Sequence, residues 1–195
     1  MLKDLLKDKN IILASGSPRR QQFFKDLNLD FTIQLKEIEE VYPAHLIAEE
    51  ISDYLAELKA GAFKDLNTND ILITSDTIVW HKNKALGKPK DLEEAIKIIG
   101  SLSGDTHEVI TSVCFKTSHS IKTVHQSTRV TFKNLSKEEI EYYVYNYKPL
   151  DKAGAYGIQE WIGFIGISNI EGSYFNVMGL PTHIVYETLS SLAKS

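Results

Sequence analysis

The sequence predicts an α/β protein built around a mixed β-sheet. Short apolar runs rich in β-branched residues alternate with segments of helical periodicity, and two long stretches alternate polar and apolar residues around compact turns. Strands separated by helices favour parallel pairing, whereas strands joined by short turns pair antiparallel. A sheet that contains both kinds of pairing is therefore expected.

The N-terminal elements begin with a buried strand, "IILAS", at residues 11–15. Ser17 can cap a helix, and Pro18 suits the first helical position, so a helix is predicted from here to about Leu27. Alternation in "DFTIQL" predicts a strand at 30–35, and apolar residues at helical spacing predict a long helix over 43–63.

The middle of the chain begins with "DILITSDTIVWHKNKAL" at residues 70–86. It predicts a buried strand, a break at Ser75–Asp76 and a hairpin that turns near Asn83. A helix is predicted from Asp91 to before Gly104, and two antiparallel strands follow over 106–132 with a turn at 118–120. A Ser136–Glu139 capping box begins a helix that runs to about Tyr147. The last predicted elements are a strand-like segment over 163–175 and a final helix that begins at Pro181.

Composition limits the classes of function. At 195 residues with no linker or repeat, a single domain over 1–195 is expected, and two lobes that share one sheet are also compatible with this length. The net charge of −4 argues against general nucleic-acid binding. The single cysteine, Cys114, excludes an internal disulfide and fits a reducing compartment. The opening "MLKDLLKDKN" resembles neither a signal peptide nor a membrane span, so a cytoplasmic protein is expected.

The stretch "LASGSPRR" predicts an anion site. A strand that ends near Ser15, a turn of small residues with Ser17 and a helix N-terminus together present backbone N–H groups and the positive end of the helix dipole. Arg19 and Arg20 in the first helical turn oppose that dipole, and a bound phosphate would remove the conflict. Two solvated surface arginines are the alternative.

Asp76 is the candidate catalytic carboxylate. It lies between apolar residues in "ITSDTIV", and we expect it at a strand end, where it can bind a metal or act as a base on water. A turn-forming aspartate is the alternative. Lys88 in "LGKPKD" and Lys59 near the end of the long helix are candidate cations, although solvation and the helix dipole explain them equally well.

Two further stretches carry candidate ligands. Glu39 and Glu40 follow a strand and suit a divalent metal, with solvated loop charge as the alternative. The histidines show no zinc-ligand spacing. "DKAGAYGIQ" ends in Gln159, whose amide carries the donor and the acceptor needed to pair with the edge of a base. A buried structural amide is the alternative there.

Taken together, these stretches resemble the Maf family of nucleoside triphosphate pyrophosphatases, once labelled septum-formation inhibitors. The stretches occur in the family's order and cover nearly the full chain: "LASGSPRR", "IEE", "SDTIV", "LGKPKD", "LSGDTHEVIT", "DKAGAYGIQ" and "GSYFNVMGLP". The resemblance implies hydrolysis of a nucleoside triphosphate to the monophosphate and pyrophosphate with Mg²⁺ or Mn²⁺. It also implies an elongated mixed sheet flanked by helices, with two lobes around a central cleft, as in the inosine-triphosphate pyrophosphatases.

The resemblance assigns roles to matching positions. Asp76 would be the proton acceptor for the attacking water and would also hold metal. The other implied roles are charge neutralisation of the triphosphate by Arg19, Arg20, Lys59 and Lys88, metal binding by Glu39 and Glu40, and phosphate contacts from Ser15 and Ser17.

The stretch "DKAGAYGIQ" is similar to the family branch that acts on dTTP and UTP. Arg19, Thr77 and Gln159 match positions associated with that substrate choice. Glu160 departs from the family, where glycine usually follows the glutamine, and it adds a charge beside the residue expected to read the base. Ser75 departs as well, since alanine usually precedes the aspartate.

Other functions stay open at this point. The same pocket would serve a non-catalytic nucleotide-binding regulator of cell division, and a phosphomonoesterase would release orthophosphate. The expected partner is a nucleoside triphosphate, without a stable nucleic-acid or membrane partner. The resemblance is also compatible with a homodimer.

Overall fold

The computed structural model describes residues 1–194, and the bounds of its elements follow in chain order. The helices are α1 (Leu2–Leu5), α2 (Pro18–Asp26), α3 (Glu49–Gly61), α4 (Leu92–Leu102), α5 (Lys137–Tyr147), α6 (Trp161–Gly166), α7 (Tyr174–Val177) and α8 (Thr182–Leu192). The strands are β1 (Asn10–Leu13), β2 (Thr32–Ile33), β3 (Asp70–His81), β4 (Lys84–Leu86), β5 (Thr106–Lys116), β6 (Ile121–Phe132) and β7 (Ile167–Glu171). A short 3₁₀ turn spans Ala153–Ala155.

The strands form a seven-stranded sheet in the order β2-β1-β3-β5-β6-β7, with β4 paired to β3. β1 pairs in parallel with both β2 and β3, whereas β4 pairs antiparallel with β3 and β7 antiparallel with β6. The parallel pairs are possible because α2 and α3 lie in the connections between those strands. The predicted α/β fold with a mixed sheet and flanking helices is therefore confirmed.

Packing divides the chain into two compact units. Unit 1 contains residues 1–76, 111–126 and 179–195, and unit 2 contains residues 77–110 and 127–178. Unit 1 has an apolar cluster that includes Ile12, Ala56 and Leu72, and unit 2 has a larger one that includes Phe132 and Tyr143. Three of the four unit boundaries fall inside β3, β5 and β6, and the fourth lies at residues 178–179, between α7 and α8. A boundary inside a strand needs no linker, which explains why the sequence shows none.

Local signals predicted several elements correctly. The Ser17 hydroxyl accepts a hydrogen bond from the Arg20 N–H at the start of α2, and Pro18 occupies the first turn. Ser136 and Glu139 form the expected capping box at the start of α5. The hairpin between β3 and β4 turns at residues 82–83, as predicted.

Three predicted elements were wrong in extent or type. The strand at 30–35 is reduced to Thr32–Ile33. The helix predicted over 43–63 begins only at Glu49, because Ala48 has a φ of +46° and the Ile47 N–H donates to the Glu50 carboxylate at 3.0 Å. The segment at 163–175 is a strand only over 167–171. A helical turn precedes it, because the Gly163 N–H donates to the carbonyl of Glu160 at 2.8 Å.

The predicted break at Ser75–Asp76 was also wrong. β3 runs without interruption from Asp70 to His81, so Asp76 lies in the middle of a strand and not at its end. A carboxylate is compatible with this position because a lysine from α3 pairs with it. In the part of the chain that the structure describes, no helix is long and apolar enough to cross a membrane.

Candidate active site

The turn between β1 and α2 is held by its own serine hydroxyls. The Ser17 N–H donates to the Ser15 hydroxyl at 3.3 Å, and the Ser17 hydroxyl in turn accepts from the Arg20 N–H. The Gln21 side-chain amide donates to the Ser15 carbonyl at 3.1 Å. These bonds fix the backbone at the positive end of α2, which is the part of unit 1 predicted to meet an anion.

Arg20 is directed back into unit 1. Its Nε donates to the Gly179 carbonyl at 2.8 Å, and its Nη1 donates to the Ser75 carbonyl at 2.9 Å. Burial lowers the pKa of this guanidinium, and the nearby Asp76 and Glu40 charges oppose that effect. These carbonyls and carboxylates offset the unfavourable helix dipole, so Arg20 joins α2 to β3 and to residue 179 whatever ligand is bound. Sequence reasoning missed this structural role.

Asp76 forms an ion-paired cluster with Lys59 and Glu40 in unit 1. The Lys59 ammonium lies 2.6 Å from Asp76 Oδ1 and 3.2 Å from Glu40 Oε1. The Asp76 side chain is 10% exposed and that of Lys59 is 17% exposed, whereas Glu40 is 46% exposed. Residues predicted from three separate stretches therefore meet in space, with one carboxylate shielded and one open to solvent.

The protein supplies only some of the ligands that a divalent cation would need at this cluster. No group of three or more His, Cys, Asp or Glu side chains within reach of one metal ion occurs among residues 1–194. Mg²⁺ commonly binds through one or two carboxylates, waters and substrate phosphates, and not in a cage made entirely of protein ligands. Glu40 and Asp76 fit that mode because both contact the same ammonium. Glu39 is exposed.

Two predicted segments come together in unit 2. Lys88 is exposed in the loop that precedes α4. The Gly154 N–H donates to the Gly87 carbonyl at 3.1 Å, so the "DKAGAYGIQ" segment is tied to the residue before Lys88. Gln159 at the end of that segment is half-buried.

Arg19 and Thr77 lie beside the cluster residues in the sequence. Arg19 is half-buried in the first turn of α2, next to Arg20. Thr77 is half-buried in β3, directly after Asp76. Arg19 and Thr77 therefore lie on a helix and a strand, respectively, and this regular structure fixes their backbone positions.

Replacing Gly154 with Ala tests the close packing of the "DKAGAYGIQ" segment against Val79 of β3. Gly154 has a φ of +70°, and an added Cβ would lie 2.6 Å from Val79 Cγ2. We expect the free energy of unfolding to fall by about 2 kcal/mol, as measured by urea denaturation. Gly100→Ala in α4 is the matched control, because no atom lies within 4 Å of its added Cβ. It should raise the stability by about 0.5–1 kcal/mol. Equal stabilities for the two variants would contradict this interpretation.

The chain is similar to a known family over nearly its whole length. A family profile described as "Maf-like protein" matches residues 10–192. A protein named "dTTP/UTP pyrophosphatase" from Flavobacterium johnsoniae is 65% identical over 98% of this chain and 100% of its own length. Proteins of the same name from Christiangramia forsetii and Bacteroides fragilis are 60% and 48% identical, over 100% and 98% of this chain and 100% of each relative.

Among solved structures, a HAM1 protein from Coxiella burnetii aligns with 94% of this chain and 99% of its own, at 14% identity and a TM-score of 0.49. The profile match covers most of the chain, and it includes the anion-site turn, the Asp76 cluster and the Gln159 segment. This chain belongs to the family of Maf-like proteins.

Proposed function

We propose that this protein is a nucleoside triphosphate pyrophosphatase that hydrolyses dTTP and UTP to the nucleoside monophosphate and pyrophosphate. The observation that carries the proposal is the shielded Asp76 carboxylate, held at 2.6 Å by the Lys59 ammonium beside Glu40. The names of the three relatives support the choice of substrates. Phosphoryl transfer depends chiefly on positioning and charge neutralisation, and a fixed carboxylate with nearby cations suits both needs.

The proposed chemistry divides between a base and a set of cations. Asp76 orients a water molecule and accepts its proton as the water attacks the α-phosphorus. The bond from the α-phosphorus to the oxygen that bridges to the β-phosphorus breaks, and pyrophosphate leaves. Lys59 fixes the orientation of Asp76 throughout. Arg19, Arg20 and Lys88 neutralise the negative charge of the triphosphate. Ser15 and Ser17, next to the start of α2, make further contacts with the phosphates.

Base selection and metal binding complete the proposal. The Gln159 amide pairs with the edge of the pyrimidine, and Thr77 contributes to the same selection. Glu40 and Asp76, with Glu39 next to Glu40 in the sequence, would hold Mg²⁺ or Mn²⁺ together with substrate phosphates. When bound, such a cation would supply charge neutralisation at the phosphates. We place the enzyme in the cytoplasm, where its nucleotide substrates are found.

A product-resolved substrate panel tests the function. The purified protein is incubated with Mg²⁺ and each of UTP, dTTP, CTP, ATP and GTP, and the products are separated by ion-exchange chromatography. We expect UMP or dTMP with pyrophosphate. Orthophosphate as the first product would identify a phosphatase. Tight binding without hydrolysis would identify a nucleotide-binding regulator, and either result would contradict the proposal.

Lys88→Ala and Arg19→Ala are each expected to lower kcat/KM for UTP by about 100-fold, because each removes a cation from the triphosphate. Lys88 is exposed in a loop, so the unfolding temperature of its variant should be unchanged. Lys90→Ala, an exposed lysine two residues away, is the matched control and should retain full activity. A loss of thermal stability that parallels the loss of activity would mean that these side chains are structural.

A further inference from the structure

Glu160, the residue after Gln159, has a different partner on each carboxylate oxygen. Its Oε1 lies 3.1 Å from the Lys152 ammonium, and its Oε2 accepts a hydrogen bond from the Tyr143 hydroxyl. Lys152 is only 8% exposed and also pairs with Asp151 at 2.7 Å. The charge beside the proposed base reader is therefore neutralised inside unit 2 and is not free to meet a ligand as a bare carboxylate.

Tyr143 connects this carboxylate to the backbone of the same segment. The hydroxyl accepts from the Gly157 N–H at 3.0 Å while it donates to Glu160. Burial and the neighbouring Glu160 raise the pKa of Tyr143, so the hydroxyl keeps its proton and remains a donor. A Cβ on Gly157 would lie 2.8 Å from the Glu160 carboxyl carbon, so a side chain at this position would displace the Glu160 carboxylate from its partners. We call Tyr143, Lys152, Gly157 and Glu160 the Glu160 clamp.

The clamp holds the backbone on both sides of Gln159. The Glu160 N–H donates to the Gly157 carbonyl at 3.0 Å, and the Gly163 N–H donates to the Glu160 carbonyl at 2.8 Å. Gln159 is thus enclosed in a short turn whose ends are anchored by hydrogen bonds and by a partly buried ion pair. Buried networks with every member satisfied favour one conformation over its alternatives.

Such anchoring matters because an amide can bind two opposite base edges. Uracil and thymine present an N–H donor beside a carbonyl acceptor, whereas cytosine presents an acceptor beside an amino donor. A glutamine amide that flips by 180° exchanges its donor with its acceptor and therefore pairs with either edge. Discrimination between uracil and cytosine requires that the amide meet the base edge at one position and in one orientation. The fixed backbone at Gln159 sets that position and limits the directions from which the amide can reach the base.

We propose that Glu160 is a positioning residue for base selection, which acts through the clamp to hold Gln159 for uracil and thymine against cytosine. The inference rests on the proposed function and adds to it the residues that determine specificity. Glu160 touches no substrate in this account. Its effect is carried by the Tyr143 hydroxyl, the Lys152 ammonium and the turn around Gln159.

The experiment compares steady-state hydrolysis of UTP, dTTP and CTP by the full chain with Mg²⁺. Glu160→Gln removes the charge and Tyr143→Phe removes the hydroxyl. In each variant, we expect the ratio of kcat/KM for UTP to that for CTP to fall about tenfold. The change should come from a higher KM for UTP, with kcat for UTP within about twofold of the wild type, as expected when binding and not chemistry is altered. Glu138→Gln and Tyr145→Phe, at exposed positions of α5, are matched controls and should keep the wild-type ratio.

Each outcome decides between the proposals. An unchanged ratio in folded variants, or an equal loss of kcat/KM for all three nucleotides, would overturn the role of the clamp and leave the pyrophosphatase function intact. Failure of both variants to fold, judged by circular dichroism and thermal unfolding, would also overturn it, because the network would then be structural. A wild-type protein that hydrolyses none of the nucleotides would overturn the proposed function and this inference together.

Discussion

Asp76→Asn is expected to lower kcat for UTP and dTTP by about 1,000-fold, within the range found when a general base is removed. The amide keeps the shape of the carboxylate and can still accept a hydrogen bond from Lys59, but it cannot take a proton from water. Because Glu40 continues to neutralise the Lys59 ammonium, the free energy of unfolding should fall by only about 1–2 kcal/mol. Single-turnover kinetics and urea denaturation measure the two effects separately.

Asp70→Asn is the matched control for this substitution. Asp70 is a second buried carboxylate of β3, and it accepts hydrogen bonds from Asn10 and Asn67. Burial raises its pKa, but these hydrogen bonds outweigh that effect, and its pKa is lowered overall. The control variant should lose stability and keep its activity. If Asp76→Asn retained more than about a tenth of the wild-type kcat, Asp76 would not be the base.

Arg20→Met is expected to lower the free energy of unfolding by about 3 kcal/mol, because two backbone carbonyls lose their donors. Those carbonyls belong to Gly179 and Ser75, so the change weakens the attachment of α2 to β3 and to the segment that precedes α8. Loss of the guanidinium also leaves the Asp76 and Glu40 charges less compensated, so kcat/KM for UTP should fall by at least about 100-fold.

Arg129→Met is the control for this second prediction. Arg129 lies on β6 and forms a surface ion pair with Glu171, at 3.2 Å, with both side chains more than half exposed. Exposed pairs contribute about 0–1 kcal/mol, so this variant should be nearly as stable as the wild type. A stability loss in Arg20→Met no larger than that in Arg129→Met would mean that the two carbonyl contacts contribute little.

The sequence was informative where the controlling interaction is local. The Ser17 cap, the Ser136–Glu139 capping box and the two-residue hairpin at 82–83 each depend on residues within about four positions, so short patterns were sufficient to predict them. The resemblance to the Maf family also placed Asp76 and Lys59 among the candidate residues. Their pairing, however, joins β3 to a residue of α3 that lies 17 positions away, which no local pattern encodes.

What the sequence did not reveal also depends on contacts between residues that are far apart along the chain. Asp76 suggested a strand break because a lone carboxylate disfavours a buried strand, and its compensating lysine was not visible from the local sequence. The partners of Glu160 were equally invisible: Lys152 and the Tyr143 hydroxyl, itself 17 positions away, compensate its charge near Gln159. Tyr143 occupies an apolar position of an amphipathic helix, so the pattern of α5 gave no sign of its role.

The position of water attack is the most direct test of the central claim, which is that the protein directs water to the α-phosphorus. The wild-type protein is incubated with UTP and Mg²⁺ in water enriched in ¹⁸O, and the products are analysed by mass spectrometry. We predict one ¹⁸O atom in UMP and none in pyrophosphate. Label in pyrophosphate or in orthophosphate would show attack at another phosphorus and would contradict the account.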